Sequence, residues 1–217
     1  IWDTGLKEET DMLFDALALF SFLVVLLLLR RLVNVYPSLM ACMIRGKESV
    51  NLESSVKLSL DRDRITYAMI IPFCLVAFRF RLYEPSFLQG VSENGLLGMY
   101  FLVFVGYVML RMLVIWLFRP HKMPQKTYRT ANRVAFTFFT LLSLALLITG
   151  GVMSFLHIDE SFIRLAMLWI SAGIYLLFIL RKLEIFISSC SVFTAFLYLC
   201  ALEIIPTGTL VISAIIL

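Results

Sequence analysis

Six stretches of mainly apolar residues, separated by charged or turn-forming residues, constrain most strongly what this chain can fold into. An α-helix needs about 20 apolar residues to cross the hydrocarbon core of a bilayer. Such a helix also satisfies its own backbone polar groups without water. We therefore predict an all-α fold, a polytopic transmembrane helical bundle of about six spans in one domain, with spans at residues 12–29, 65–80, 95–118, 134–156, 162–180 and 185–205.

The composition of the chain agrees with lipid as its surrounding solvent. Of its 217 residues, 61% are hydrophobic and 16% are charged, whereas soluble domains are about 45–50% apolar and about 25% charged. The net charge of +4 does not indicate nucleic-acid binding, because the basic residues lie in short connections between apolar stretches. We expect membrane lipid as a partner and no nucleic acid.

Two parts of the chain differ from a regular span. Residues 30–64 combine an apolar piece at 35–44, interrupted by Pro37, with a highly charged piece. This pattern predicts a cytoplasmic segment with an amphipathic helix lying on the membrane surface. Residues 206–217 are too short to cross a membrane alone. They are expected either to continue a kinked helix or to form a re-entrant tail.

Positive charge is divided unequally between the two sets of connections. Residues 30–64, 119–133 and 181–184 carry fourteen of the nineteen Lys and Arg residues, and the opposite connections carry four. Short connections rich in Lys and Arg stay in the cytoplasm. We therefore predict that the basic loops are cytoplasmic and that, after six crossings, both termini lie outside.

Ionisable residues within the apolar stretches define a candidate intramembrane polar site, because charges at this depth usually face protein or water. Glu203 has no other charge near it in the sequence. Counted from Ile185, it lies about 27 Å along a helix, which predicts the outer half of the membrane. The other residues predicted at this depth are Asp15, Arg79, Arg81 and Arg164.

The role of Glu203 is open to two interpretations. It is either a structural partner of an arginine or a carboxylate that carries a proton or an ion. Arg79 is the expected partner, because Arg81 and Arg164 can extend to the interface. Arg111 is predicted at the other depth, about 12 Å below the inner end of its span. It either extends toward cytoplasmic phosphates or contacts an anion or a lipid headgroup.

Small hydroxyl residues recur at every third position on two spans. Both spans begin on the predicted cytoplasmic side, so the two rows are expected to face each other. Such residues allow close helix approach and interhelical hydrogen bonds, which favours helix packing over a substrate path. The rows are Thr137, Thr140 and Ser143 on the fourth span and Ser188, Ser191 and Thr194 on the sixth.

Sequence motifs of known enzymes are absent from the chain. It contains no HExxH, GxSxG, GxxxxGK[ST] or GxGxxG pattern. Its four cysteines and two histidines form no CxxC or Cys/His cluster. We therefore predict no cofactor, no metal and no catalytic residue, and the sequence argues against an enzyme without excluding one.

The end of the chain carries a recognisable pattern. The segment from Phe196 to Pro206, read as Phe-Leu-Tyr-Leu-Cys-Ala-Leu-Glu-Ile-Ile-Pro, follows a basic turn at Arg181-Lys182. It resembles the closing motif of a small integral membrane family of unknown function from Bacteroidota. The resemblance implies a location in the bacterial inner membrane and implies no activity.

These observations predict a non-enzymatic membrane subunit or scaffold that binds partner membrane proteins, further copies of itself or lipids. The alternative is a small secondary transporter or ion path that uses Glu203 and the outer arginines. An intramembrane enzyme using Glu203 or Asp15 is the third possibility. Continuous water at Glu203 would favour transport, whereas a dry carboxylate paired with arginine would favour the scaffold.

Overall fold

The computed structural model describes residues 2–45, 48, 52–83, 93–117, 125–188 and 191–216, and within these ranges the chain is helical and contains no strand. Its elements follow the chain in the order α1 Trp2–Ile44, α2 Val56–Ala68, α3 Ile70–Arg79, α4 Glu93–Leu117, α5 Gln125–Phe155, α6 Glu160–Ile187, α7 Val192–Leu199, a π-helical segment Cys200–Ile204, and α8 Ile205–Ile216.

Among the residues that the structure describes, five helical segments are long and apolar enough to span a membrane, which confirms a helical fold with the character of a membrane protein. They are Phe14–Ile44, Gly95–Leu117, Thr127–Phe155, Glu160–Ile187 and Val192–Ser213. The predicted span at 65–80 lies on α2 and α3, which have 13 and 10 residues. Helical hydrogen bonds continue through the turn at Met69, whose N–H donates to the Ile65 carbonyl at 2.9 Å.

Contacts between chain-distant residues define the two ends of the bundle. At one end, the Arg181 guanidinium donates hydrogen bonds to the carbonyls of Met43 at 3.0 Å and Ile44 at 2.6 Å. We call this the basic end, because α1 and α6 finish there among the basic connections. At the opposite end, Arg79 of α3 lies 3.0 Å from the Glu160 carboxylate at the start of α6.

The α5–α6 hairpin forms the centre of the bundle. Buried aromatic side chains pack between the two helices, with Phe138 and Phe178 ring centroids 5.6 Å apart. Near the opposite end, Gly150 permits close contact: a Cβ at this position would lie 2.7 Å from Met167 Cε and 3.1 Å from the Phe80 ring. The absence of a side chain here lets α3, α5 and α6 approach one another.

The structure corrects the boundary of the predicted segment at 30–64, because residues 30–44 continue the first helix. Residues 35–44 belong to α1, which passes through Pro37 without ending. Pro37 lies on an exposed face of the helix. The opposite face is buried against α2 and α3 and includes Leu32, Val35, Leu39 and Cys42. This packing stabilises the helix beyond the hydrogen bond that proline removes.

Large apolar side chains also cover the outside of the bundle. Phe155, Trp116, Leu27 and Trp169 are among the most exposed residues, at 83%, 78%, 81% and 71%. Apolar surface of this extent is unfavourable in water. It matches the surface that a helical bundle presents to lipid.

Candidate functional site

The last span is interrupted by a π-helical segment at the position of Glu203. Within it, the N–H of Ile205 donates to the carbonyl of Cys200, five residues earlier. Pro206 follows directly and has no N–H to donate to the preceding turn, which favours a local change of hydrogen-bonding pattern. The Tyr175 hydroxyl of α6 donates to the Glu203 carbonyl at 3.2 Å. Single-turn π segments of this kind are frequent at functional sites.

The Glu203 carboxylate is shared by two basic side chains. Its Oε1 accepts a hydrogen bond from Lys182 Nζ of α6 and another from Arg111 Nη2 of α4, the latter at 2.6 Å. The exposed fractions are 1% for the Glu203 side chain, 0% for Lys182 and 19% for Arg111. We call these three residues the charge cluster. It joins three helices from distant parts of the chain.

Aromatic rings form the walls of the charge cluster. The Phe178 ring centroid lies 5.7 Å from Arg111 Cζ and 5.8 Å from Lys182 Nζ, and the Phe186 centroid lies 5.6 Å from Lys182 Nζ. Cations at these distances are attracted to the ring quadrupole. Lys182 Nζ also donates to Asn132 Oδ1 of α5 at 3.4 Å. These contacts partly replace the hydration that both cations lose on burial.

The charges of the cluster do not cancel. Two cations share one carboxylate, so with all three groups ionised the cluster carries one net positive charge. Among the residues that the structure describes, buried Glu203 Oε2 and buried Arg111 Nε have no hydrogen-bond partner. A buried carboxylate that accepts hydrogen bonds from two cations joins the helices that carry them. The unpaired Glu203 Oε2 is able to accept a further hydrogen bond, and the unpaired Arg111 Nε is able to donate one.

The prediction that Glu203 pairs with Arg79 is wrong. Arg79 contacts Glu160 at the opposite end of the bundle, and both side chains are largely exposed, at 56% and 70%. Glu203 instead contacts Lys182, which lies five residues before the end of α6 at the basic end. The depth was counted from Ile185, whereas the last helix begins at Val192, so Glu203 lies about 16 Å along it.

The remaining predicted members of the outer site are not brought together with Glu203. Asp15 and Arg81 are exposed and Arg164 is half-buried. Arg81 has a positive φ of 46° in the turn after α3. The described structure therefore places one of the five predicted residues, Glu203, in the charge cluster. Arg111, predicted separately as an anion or headgroup contact, is a member.

Sequence reasoning missed Lys182, the most deeply buried cation of the cluster. The pair Arg181-Lys182 was interpreted as the charged end of the fifth span, yet α6 continues to Ile187. A signal was present in the spacing. Phe178, Lys182 and Phe186 recur every four residues, which places them on one face of a helix.

The two hydroxyl rows do not face each other as predicted. Thr137, Thr140 and Ser143 are buried. The hydroxyl of Thr140 lies 2.8 Å from that of Thr66, so this row packs against α2. In the second row, Ser188 and Ser191 are exposed, and the hydroxyls of Ser191 and Thr194 hydrogen-bond to each other at 2.8 Å. The second row begins outside α7, whose packing partner is α6.

A second group of ion pairs links α1, α2 and α5. Glu53 contacts the buried Arg62 and also Arg133 of α5, the latter at 3.1 Å, and Asp63 contacts Arg62 at 2.7 Å. Arg31 of α1 lies 3.1 Å from Asp61. Three cations and three carboxylates balance in this network. It therefore lacks the net charge that distinguishes the charge cluster.

Comparison with known protein families shows the family to which the chain belongs. The model of the family described as Domain of unknown function (DUF4271) matches residues 14–212. The chain belongs to the DUF4271 family. The matched region of this DUF4271 protein contains all three residues of the charge cluster. No curated protein and no solved structure matches the chain.

Proposed function

We propose that this DUF4271 protein is a non-enzymatic subunit or scaffold of the bacterial inner membrane that binds partner membrane proteins or lipids. The observation that carries the proposal is the burial of Glu203. Its side chain is 1% exposed and held by two cations. A carboxylate that carries protons or ions needs access to water from one side, whereas a structural carboxylate is sealed and paired.

The proposed topology has six crossings, with the basic loops in the cytoplasm and both termini outside. The five candidate spans support it, together with α2 and α3, which follow one another from the basic end to Arg79 at the opposite end. The excess of Lys and Arg in alternate connections supports the orientation. The sequence resemblance to a family from Bacteroidota supports the inner membrane as the location.

The function is tested by purifying the full chain in a mild detergent, identifying what copurifies, and reconstituting it in liposomes. We expect a copurifying membrane protein, self-association or retained lipid, and no proton or ion flux above that of empty liposomes. Flux that disappears in Glu203→Gln, with assembly of the variant unchanged, would contradict the proposal. Arg79→Gln is the matched control, because Arg79 pairs at the opposite end.

A secondary transporter or ion path is the second candidate function. It is favoured by the two buried polar atoms without a partner, Glu203 Oε2 and Arg111 Nε, and by the π-helical segment that carries Glu203. A carboxylate with an unpaired oxygen is able to accept a proton. The liposome flux measurement separates this function from the scaffold.

A further inference from the structure

The charge cluster holds one more positive charge than its carboxylate balances. Lys182 and Arg111 both donate to the single carboxylate of Glu203. The second network of ion pairs is balanced, so this excess is particular to the cluster. Uncompensated charge is costly in an apolar interior, and a buried ionisable group avoids that cost by changing its protonation state. Release of one proton would leave the cluster neutral.

Lys182 is the member of the cluster that is able to release this proton. An arginine guanidinium stays protonated in proteins, whereas a lysine ammonium loses its proton more easily once it is buried. The Lys182 side chain is 0% exposed, and its Nζ donates to Glu203 Oε1. An acceptor for the proton is therefore already in contact with the group that carries it.

The side of the cluster that faces the basic end offers no route for a proton. Phe186 lies about one turn beyond Lys182 on this side, and Ala195 lies about two turns before Glu203. Both are apolar, 0% exposed and part of one packed core. Asn132, the other hydrogen-bond partner of Lys182, carries an amide, which has no ionisable group. A route for the proton has to lie on the other side of the cluster.

Three hydroxyl groups lie on that other side, toward the opposite end of the bundle. The Tyr175 hydroxyl donates to the Glu203 carbonyl at 3.2 Å and lies close enough to the Glu203 carboxylate to interact with it electrostatically. The Thr207 side chain hydrogen-bonds to Tyr175, and the Tyr107 hydroxyl lies 3.2 Å from Thr207 Oγ1. We call these three residues the hydroxyl route. A hydroxyl both accepts and donates hydrogen bonds, so such a route is able to pass a proton.

A groove of about 160 Å³ between α4 and α8 continues the hydroxyl route away from the cluster. This volume accommodates several water molecules of about 30 Å³ each. The hydroxyl-bearing residues that line the groove are Tyr83, Tyr107, Thr209 and Ser213. The Tyr83 hydroxyl lies 2.7 Å from Ser213 Oγ, and Tyr83 follows α3, which ends at Arg79 at the opposite end. The hydroxyl route and the groove together lead from Glu203 toward that end.

We propose that the charge cluster binds an exchangeable proton on Lys182 Nζ, which passes through Glu203 and the hydroxyl route to water at the opposite end. On release, an N–H bond of Lys182 breaks, its electron pair stays on Nζ, and an O–H bond forms on Glu203. The carboxyl group then gives the proton to the hydroxyls of Tyr175 and Thr207, each of which releases its own proton as it receives one. Glu203 is again a carboxylate, paired with Arg111. Exchange with one side moves no proton across the membrane, so the proposal goes beyond the scaffold function without requiring flux.

The experiment measures the protonation state of Lys182 by nuclear magnetic resonance of the lysine side-chain nitrogens in the full chain in detergent. Lys57 is exposed and is kept as the reference. The other four lysines are replaced by arginine, which keeps the net charge. As the pH is raised, the amine form is expected to appear for Lys182 while Lys57 remains an ammonium. A second chain in which Lys57 is also replaced by arginine assigns the remaining signal to Lys182.

The hydroxyl route is tested by the rate at which the two forms of Lys182 interconvert. Thr207→Val and Tyr175→Phe each remove one hydroxyl with little change of shape. Each is expected to slow the interconversion about a hundredfold, the effect of losing one positioned proton-transfer group. Thr194→Val is the matched control, since it makes the same change in the same span on the basic side of Glu203, and it is expected to exchange as the wild type does. If one of the two variants does not fold, the other tests the same route.

Three results would overturn the proposal. The first is that Lys182 remains an ammonium wherever Lys57 does. The second is an interconversion that neither Thr207→Val nor Tyr175→Phe slows, or that Thr194→Val slows equally. The third is proton flux across liposomes, which would show a further route through the basic end and would contradict one-sided exchange together with the scaffold function.

Discussion

At the scale of single residues, the cluster shows how one carboxylate holds two cations inside an apolar bundle. Lys182 and Arg111 donate to the same oxygen of Glu203 and lie beside the same Phe178 ring. Removing one member has different consequences for the others. Loss of Glu203 leaves two buried cations without a counter-charge, whereas loss of Arg111 leaves one cation and one anion.

The first prediction concerns this asymmetry. Glu203→Gln is expected to lower the free energy of unfolding by about 3 kcal/mol or more, because it strands buried charge. Arg111→Gln is expected to cost less, since Lys182 continues to compensate Glu203. The double variant is expected to cost less than the sum of the two single variants. Unfolding by sodium dodecyl sulfate in mixed micelles, followed by tryptophan fluorescence, measures these differences.

Arg79→Gln is the control for this comparison of single and double variants. Its pair with Glu160 is exposed, and exposed ion pairs contribute at most about 1 kcal/mol. Equal costs for Glu203→Gln and Arg111→Gln would contradict the shared-carboxylate arrangement. Strict additivity of the two changes would contradict the direct contact between them.

At the scale of elements, the helical class followed from the apolar stretches, but the helix ends did not. Arg30-Arg31 and Arg181-Lys182 were interpreted as stops, yet α1 and α6 continue through them. Lys and Arg are good helix formers, and their charge alone does not end a helix. Tertiary packing of Leu39 and Phe186, both 0% exposed, determines that these turns remain helical.

The partners of Glu203 could not be predicted from the sequence, because the ends of the helices could not. Depth was counted from an assumed start of the last span at Ile185, whereas the helix begins at Val192, about 10 Å further along. The sequence nevertheless identified Glu203 as a residue that needs a partner. The free-energy cost of placing its carboxylate in lipid does not depend on where the helix begins.

The second prediction tests packing between elements at the paired glycines of α5. Gly150→Ala is expected to leave the bundle about 1 kcal/mol less stable than Gly151→Ala, because the added Cβ meets Met167 Cε and the Phe80 ring whereas the gain in helix propensity is common to both. Gly151→Ala is the matched control, since a Cβ there has no atom within 4 Å, and alanine favours the helix. Thermal unfolding in detergent measures both. A larger loss of stability in Gly151→Ala than in Gly150→Ala would contradict the described approach of α3, α5 and α6.

At the scale of the whole molecule, the two ends of the bundle differ in the contacts that close them. The basic end joins α1 to α6 through Arg181, and the opposite end joins α3 to α6 through Arg79 and Glu160. The sequence segments 30–64, 119–133 and 181–184 carry fourteen of the nineteen Lys and Arg residues of the chain. This distribution is the basis for the proposed orientation.

The third prediction concerns that orientation. In a background with the four native cysteines replaced by alanine, His157→Cys is expected to react with a membrane-impermeant thiol reagent in spheroplasts. Lys126→Cys is expected to react only after the membrane is opened. Sequence asymmetry predicts residue 126 in the cytoplasm and residue 157 outside. Labelling at residue 126 in sealed spheroplasts would reverse the proposed topology.

The distances along the chain between the members of the charge cluster have a consequence for biosynthesis. Arg111 precedes Glu203 by 92 residues, and Lys182 precedes it by 21. At a synthesis rate of about 5–20 residues per second, Arg111 waits on the order of 5–20 s for its carboxylate to be made. During that interval the carboxylate that Arg111 contacts in the folded protein has not been made. Synthesis of the last helix is therefore expected to complete the packing of α4 and α6 around Glu203.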